Sequence, residues 1–235
     1  MLRQEDRLSP LQHETSRLYS GEAVTLSGAV LEFCSQVLRA LPQVAVTSEK
    51  FSLDEMASTQ LQVGFLTFLI ELIRAQRVLE IGTFIGATTL ALATAVGPLG
   101  RVVTLELGEE FANLAQRNFA ESGVEARIQL IQGDALDTLK RLPRTELFDF
   151  VYLDGAKQLY PRLFELVAPL VRIGGLFVAD DVFFHGDALN PSPKTDKGEG
   201  TRRLAAVVAS SPEWSSCILP LSNGLLLSVR VNPAA

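Results

Sequence analysis

Cysteine is nearly missing from this sequence. Cys34 and Cys217 are the only two, too few for a disulfide framework and too far apart for a CxxC metal or redox site, so both are expected to be reduced packing residues. No apolar run reaches the length of a membrane span. The opening stretch MLRQEDRLSPLQHETSRLYSGEA mixes both charge signs without a signal-like apolar segment, so a cytoplasmic protein with no membrane partner is expected. No dense Lys/Arg stripe is present, and a formal net charge of -6 opposes neutralising nucleic-acid phosphates, which excludes nucleic acid as the expected partner. Internal repeats, low-complexity tracts and a GxGxxG dinucleotide fingerprint are also absent.

What the sequence does contain is the balance of a packed globular protein, with 47% apolar and 20% charged residues in 235, a length that suits one domain. EAVTLSGAVLEFCSQVLRAL and MASTQLQVGFLTFLIELIRA carry apolar residues at mixed three and four spacing, as helices with one buried face do. From Arg77 onward, short apolar runs alternate with helical patterns: RVLEI, RVVTLEL, IQLIQ, FDFVYLD and GLFVAD. Runs that are apolar throughout suit parallel strands covered on both faces, so an open α/β sheet is expected, with ligands at the carboxyl ends of its strands. SSCILPLSNGLLLSVRV reads as an antiparallel hairpin turning at Ser222-Asn223-Gly224, and NPSPKTDKGEGT (190–201) as a long mobile loop.

VLEIGTFIGATTLALA places Gly82 and Gly86 between a strand and a helix, with Glu80 just before them. Such a turn brings backbone close to a ligand and presents unpaired helix N–H groups to a carboxylate or phosphate. Glu106 ends the next strand, where an acid can accept two ribose hydroxyls, and Asp134 beside Ala135 ends the third, within reach of an adenine amino group. Each feature alone is equally a plain turn, a solvated strand end or a helix cap. Together they point to a nucleoside cofactor.

Asp154 ends the fourth strand, and Asp180 and Asp181 end the fifth, so three carboxylates meet in one cleft of a parallel sheet. A hard divalent cation such as Mg²⁺ relieves their repulsion and lowers the pKa of a coordinated hydroxyl; alternatively, each aspartate only caps a helix or faces water. Lys157, three residues past Asp154, reaches the same cleft as a candidate base whose neutral form a nearby metal and burial favour. His185, beside Phe183 and Phe184, either lines an acceptor pocket or is a polar loop residue.

From about Met56 to the C-terminus these segments resemble the cation-dependent, S-adenosylmethionine-using O-methyltransferases of the catechol and caffeoyl-CoA type. The resemblance implies a Rossmann-like class I methyltransferase fold, a seven-stranded, mostly parallel sheet with an antiparallel C-terminal hairpin and helices on both faces. It implies a single O-methyltransferase domain over 1–235, with 1–55 as a helical lid or dimer segment and 56–235 as the catalytic core, and a homodimer. By the same resemblance, Ser58, Glu80, Gly82, Thr83, Gly86 and Thr88 hold the methionine part of S-adenosylmethionine. Glu106 holds the ribose, Asp134 and Ala135 the adenine, and Asp154 touches the cofactor as well as the metal. Asp154, Asp180 and Asp181 match the ligands of a divalent metal, Mg²⁺ by expectation. Lys157 matches the general base, with Asp154 beside it as the second catalytic residue, and Lys157 and His185 fall at the acceptor. The implied reaction is methyl transfer to a hydroxyl of a catechol-like, vicinal dihydroxy aromatic small molecule.

The chain departs from the family at three places. Asp181 stands where the family usually has Asn, Gly155-Ala156 breaks a common DADK run, and Ala87 replaces a common tyrosine. The rival readings are a metal-independent small-molecule methyltransferase, a nicotinamide dehydrogenase, and a non-catalytic cofactor-binding protein of the same fold.

Overall fold

The computed structural model describes residues 59–232. Ser58, Cys34 and the helical segment expected over 1–55 lie outside the described residues.

Within them seven strands form one sheet in the order β3-β2-β1-β4-β5-β7-β6. The strands are β1 (Arg77–Ile81), β2 (Arg101–Glu106), β3 (Ile128–Gln132), β4 (Phe148–Leu153), β5 (Val171–Ala179), β6 (Trp214–Leu219) and β7 (Leu225–Arg230). β1 to β5 pair in parallel, and β7 runs antiparallel to both β5 and β6. Each apolar run read in the sequence is a strand, and the 222–224 turn closes the β6–β7 hairpin.

Six α-helices cover the sheet among the described residues: α1 (Gln60–Leu72), α2 (Ala87–Ala95), α3 (Glu109–Glu121), α4 (Ala135–Arg141), α5 (Tyr160–Val167) and α6 (Asp196–Ser210). Alternate residues of one strand enter different cores. Val78, Phe150, Tyr152 and Val178 pack with Leu66 and Ile70 of α1 and Leu92 of α2. Leu79, Val151 and Phe177 pack with Leu163, Phe164 and Leu204 of α5 and α6. Burial on both faces is why these strands are apolar throughout. In the second core Phe164, Phe177 and Trp214 form an aromatic cluster, with centroids 5.0, 5.4 and 6.2 Å apart.

Two expectations need correction. Cys217 is not a packing residue. It is a free, exposed thiol on β6, the outermost strand, which has a sheet neighbour on one side only. The stretch 190–201 is not a long loop either, because α6 begins at Asp196, with Thr195 Oγ1 accepting the Gly198 N–H at 3.0 Å. The remaining loop is tied down by Asp187, whose carboxylate accepts the N–H groups of Lys194 (2.8 Å) and Thr195 (3.0 Å). The glycines that suggested mobility serve close packing instead. A Cβ on Gly200 would collide with the Lys157 carbonyl and come within 2.8 Å of Gln158 Cα, so the helix lies directly on the turn that carries Lys157.

The carboxyl ends of the strands are stepped together by backbone bonds. The N–H of Gly133 donates to Glu106 O (2.8 Å), Gly82 to Leu105 O (3.0 Å), Asp154 to Ile81 O (2.9 Å) and Asp180 to Leu153 O (3.0 Å). Buried Tyr160, at the start of α5, places its hydroxyl between the carbonyls of Leu153 (3.2 Å) and Asp180 (3.0 Å), the last turns of β4 and β5. Replacing Tyr160 by Phe removes this clamp and leaves buried acceptors short of a donor, at a cost of about 1 kcal/mol. For a chain of this size the expected Tm loss in a thermal melt is roughly 2–4 °C; an unchanged Tm contradicts the clamp.

Candidate active site

The stepped strand ends open into a cavity of about 610 Å³. Its wall includes Gly82, Phe84, Glu106, Phe111, Asp134 and Ala135 on one side and Asp154, Lys157, Asp180, Asp181, Phe184 and His185 on the other. The two groups of residues read separately in the sequence therefore border one space.

At the first side, Gly82 has φ +103, and a Cβ there would run into the Asp154 carbonyl, so only glycine lets β1 leave the sheet this close to β4. Glu106 holds the turn from below. Its Oε2 accepts the N–H groups of Thr83 (3.1 Å) and Phe84 (2.8 Å), and its Oε1 that of Gly108 (2.8 Å). Asp134 uses Oδ1 to cap α4 through the N–H groups of Leu136 (2.7 Å) and Asp137 (3.3 Å), leaving Oδ2 for the cavity. Phe84 and Phe111 set their rings 5.0 Å apart in the same wall, a flat apolar partner for a base that the sequence reading did not single out.

Glu80, Thr83, Gly86 and Thr88 do not line the cavity. Gly86 caps α2 with its Cα against the Phe119 ring. Glu80 is fully buried beneath the turn, where its Oε2 accepts the hydroxyls of Thr89 and, at 2.6 Å, Thr104, while its Oε1 has no partner. Thr104 in turn shares a 2.6 Å bond with the Thr83 hydroxyl. Burial pushes the Glu80 carboxyl up to about 8, against the hydroxyl bonds that favour its charge. Glu80 is thus a neutral buried acid that supports the turn, and Thr89 and Thr104 are the partners that strand and helix periodicity could not pair.

At the second side, the Lys157 Nζ lies 2.6 Å from Asp154 Oδ1 and 3.1 Å from Asp181 Oδ2, one ammonium between two carboxylates. Asp180 is buried. Its Oδ2 accepts Gln62 Nε2 (2.6 Å) and the Tyr152 hydroxyl (2.9 Å), and its Oδ1 accepts the Asp181 N–H (2.7 Å). Gln62 comes from α1, far away in sequence, and nothing in its local pattern marks it. Burial raises Asp154 to about 7, with Lys157 opposing and Asp180 adding to the rise. Asp180 is raised by burial and by Asp181. Lys157 was expected to be favoured in its neutral form. Burial does push that way, but Tyr160, Asp154 and Asp181 outweigh it and raise its pKa, so as placed it is an ammonium.

The donor chemistry here fits a hard divalent cation, since three carboxylates lie at two adjacent strand ends and one ammonium pairs with only two of them. Lys157 occupies the place between Asp154 and Asp181, and among the described residues no three His, Cys, Asp or Glu side chains converge as metal ligands. A metal must therefore compete with Lys157. No helix among the described residues is long and apolar enough to cross a membrane.

A sheet of this strand order, with an acid closing β2 and a ligand cavity at its carboxyl edge, defines a class I S-adenosylmethionine-dependent methyltransferase. Similar solved structures bear this out. They include the O-methyltransferase TomG from Streptomyces achromogenes in complex with SAM, 28% identical, with a TM-score of 0.78 over 88% of this chain and 97% of that one. Another is the O-methyltransferase from Bacillus cereus in complex with SAH, 28% identical, with a TM-score of 0.71 over 92% and 96% of the two chains. The O-methyltransferase family model matches residues 31–231, and the chain belongs to that family. A catechol O-methyltransferase of Mycobacterium tuberculosis is 37% identical over 165 residues, 70% of this chain and 74% of the relative. A caffeoyl-CoA O-methyltransferase of Citrus natsudaidai is 28% identical over 178 residues, 71% and 76%. The enzyme is an S-adenosylmethionine-dependent O-methyltransferase.

Glu80 makes stability depend on pH. Between its ordinary value of 4.5 and its folded value of about 8, the folded chain keeps a proton that the unfolded chain has lost, so stability falls across that window. The fall is at most ~5 kcal/mol for a shift of this size. Glu80→Gln removes the titration, so the Tm of the variant minus that of the wild type is expected to rise by several degrees between about pH 5 and pH 8. A difference that stays constant with pH contradicts a neutral buried Glu80.

Proposed function

We propose that the enzyme methylates one hydroxyl of a vicinal dihydroxy aromatic small molecule and uses a divalent cation held by Asp154, Asp180 and Asp181. The observation that carries this reading is the cluster of three carboxylates and one lysine sharing a cavity wall with the glycine turn. The catechol and caffeoyl-CoA names of the relatives support the acceptor class. The homodimer implied by the resemblance and the cytoplasmic setting expected from the sequence belong to the same proposal.

Phe84 and Phe111 would face the adenine of S-adenosylmethionine, Asp134 its amino group and Glu106 the ribose, and the turn at Gly82 would hold the methionine part beside Asp154 and Lys157. When bound, a divalent ion supplies Lewis acidity that lowers the pKa of a phenol and opposes the positive charge on Lys157. Once its own proton has passed to solvent, which the charge of a bound ion would favour, the neutral Lys157 Nζ would take the proton of the reacting hydroxyl. The oxygen attacks the methyl carbon in line, the carbon–sulfur bond breaks, and S-adenosylhomocysteine leaves with the electron pair on sulfur. Alignment and charge placement carry the rate. Asp154 serves both halves of the site, since its carbonyl abuts Gly82 and its carboxylate holds Lys157.

One observation favours a second reading, metal-independent transfer: the Lys157 ammonium already pairs with Asp154 and Asp181, and Gln62 and Tyr152 already bond Asp180. An assay with S-adenosylmethionine and a catechol panel, with chelator or with added Mg²⁺ and products read by mass, separates the two. The expected result is O-methylated catechol whose formation falls at least about tenfold with chelator and returns with Mg²⁺. Equal turnover in chelator establishes the second reading, and no product from any catechol overturns the acceptor class.

A further inference from the structure

Five acids line the cavity, Glu106, Asp134, Asp154, Asp180 and Asp181, against two lysines, Lys157 and Lys197. Lys157 is taken up by Asp154 and Asp181. Lys197, in the first turn of α6, has no ion-pair partner among the described residues. Its helix neighbours Asp196 and Glu199 are one and two positions away, spacings that do not face each other on a helix. The side chain instead lies over the Phe184 ring, with Nζ 5.7 Å from the centroid. A lysine resting on an aromatic face keeps its N–H donors free for an anion.

Phe184 is held in place. It has φ +44 and His185 φ +52, a region that residues with a Cβ enter only when their surroundings fix them. The fixing bonds are present: Phe184 N–H to Asp181 O (3.0 Å), His185 N–H to Asn223 Oδ1 (2.8 Å), and Phe183 N–H to Asn223 O (2.9 Å). Phe184 is thus bonded back to the residue whose carboxylate meets Lys157, and Lys197 covers its ring. The start of α6 is fixed independently by Asp187, through the Thr195 hydroxyl (2.7 Å) and the backbone of 194 and 195. Phe184 therefore joins the two, bonded to Asp181 through its backbone and to Lys197 through its ring.

We propose that Lys197 is a specificity residue for acceptors whose aromatic ring carries an anionic substituent, a carboxylate or a phosphate-bearing tail. The inference rests on the reading that the acceptor hydroxyls sit at Asp154, Lys157 and Asp181. Lys197 and Phe184 border the same cavity as those three residues, so an acceptor held there meets the Lys197 ammonium on the cavity wall. The excess of acids over lysines elsewhere in the cavity makes the opposite preference, for an amine-bearing acceptor, the natural competitor.

The test compares kcat/KM for neutral catechol, caffeate, caffeoyl-CoA and an amine-bearing catechol, in the wild type and in Lys197→Gln and Lys197→Arg. In the wild type the anionic acceptors are expected to lead, caffeate if a carboxylate is the group bound and caffeoyl-CoA if a phosphate is. Loss of one charged hydrogen bond is worth about tenfold, so the ratio of anionic to neutral acceptor should drop by that factor in Lys197→Gln and be retained in Lys197→Arg. A ratio that stays at its wild-type value in Lys197→Gln, or a wild-type preference for the amine, overturns the proposal while leaving the catechol reading intact. Failure to methylate any catechol overturns both.

Discussion

Three carboxylates at the ends of two adjacent strands have to share the charge of one lysine, and the rest of the cavity is organised around that imbalance. The parallel pairing of β4 and β5 brings Asp154 and Asp180 together whatever their side chains prefer, because the Asp180 N–H bonds the last carbonyl of β4. The surroundings answer in two ways. Lys157 places its ammonium between Asp154 and Asp181, and Gln62 and Tyr152 donate to Asp180. Removing one member of such a partly buried set leaves a charge short of compensation, which is more costly than the set as a whole is stabilising.

The same strand ends link the two halves of the cavity. Gly82 is in contact with the backbone of Asp154, so the turn expected to carry the cofactor and the acid expected at the reacting oxygen share one boundary. Behind Lys157, α6 packs through Gly200 onto the backbone of 157 and 158, and the same helix brings Lys197 to the wall. The positions of Lys157 and Lys197 thereby both depend on α6, whose start is fixed by the Asp187 carboxylate.

The order of strands and helices was legible because apolar runs, turn residues and strand-end acids are local signals. Glu106, Asp134, Asp154, Asp180 and Asp181 all reach the cavity for that reason. The errors have physical causes. The run at 190–201 looked mobile through its Gly, Pro, Ser and Lys content, but Gly198 and Gly200 are small because Asp187 and Lys157 press against them. Glu80, in a motif that suggests ligand contact, has its carboxylate bonded to Thr89 and Thr104 beneath the turn, a pairing that no local pattern shows. Gln62, Tyr160 and Lys197 were not singled out because their importance comes from partners far away in sequence. The charge state of Lys157 followed from the same limitation, since the sequence shows Asp154 three residues away but not that Asp181 closes on the other side.

The most direct measurement is the thermal stability of Lys157→Met at about pH 8, with and without Mg²⁺. If one ammonium holds the carboxylates together, its loss leaves Asp154 and Asp181 repelling each other, which costs ~1–3 kcal/mol at this half-buried site, below the cost at a fully buried pair. The account predicts a Tm several degrees below the wild type in chelator, recovered in a saturable way as Mg²⁺ is added. A variant that melts with the wild type in chelator, and does not respond to the ion, would contradict it.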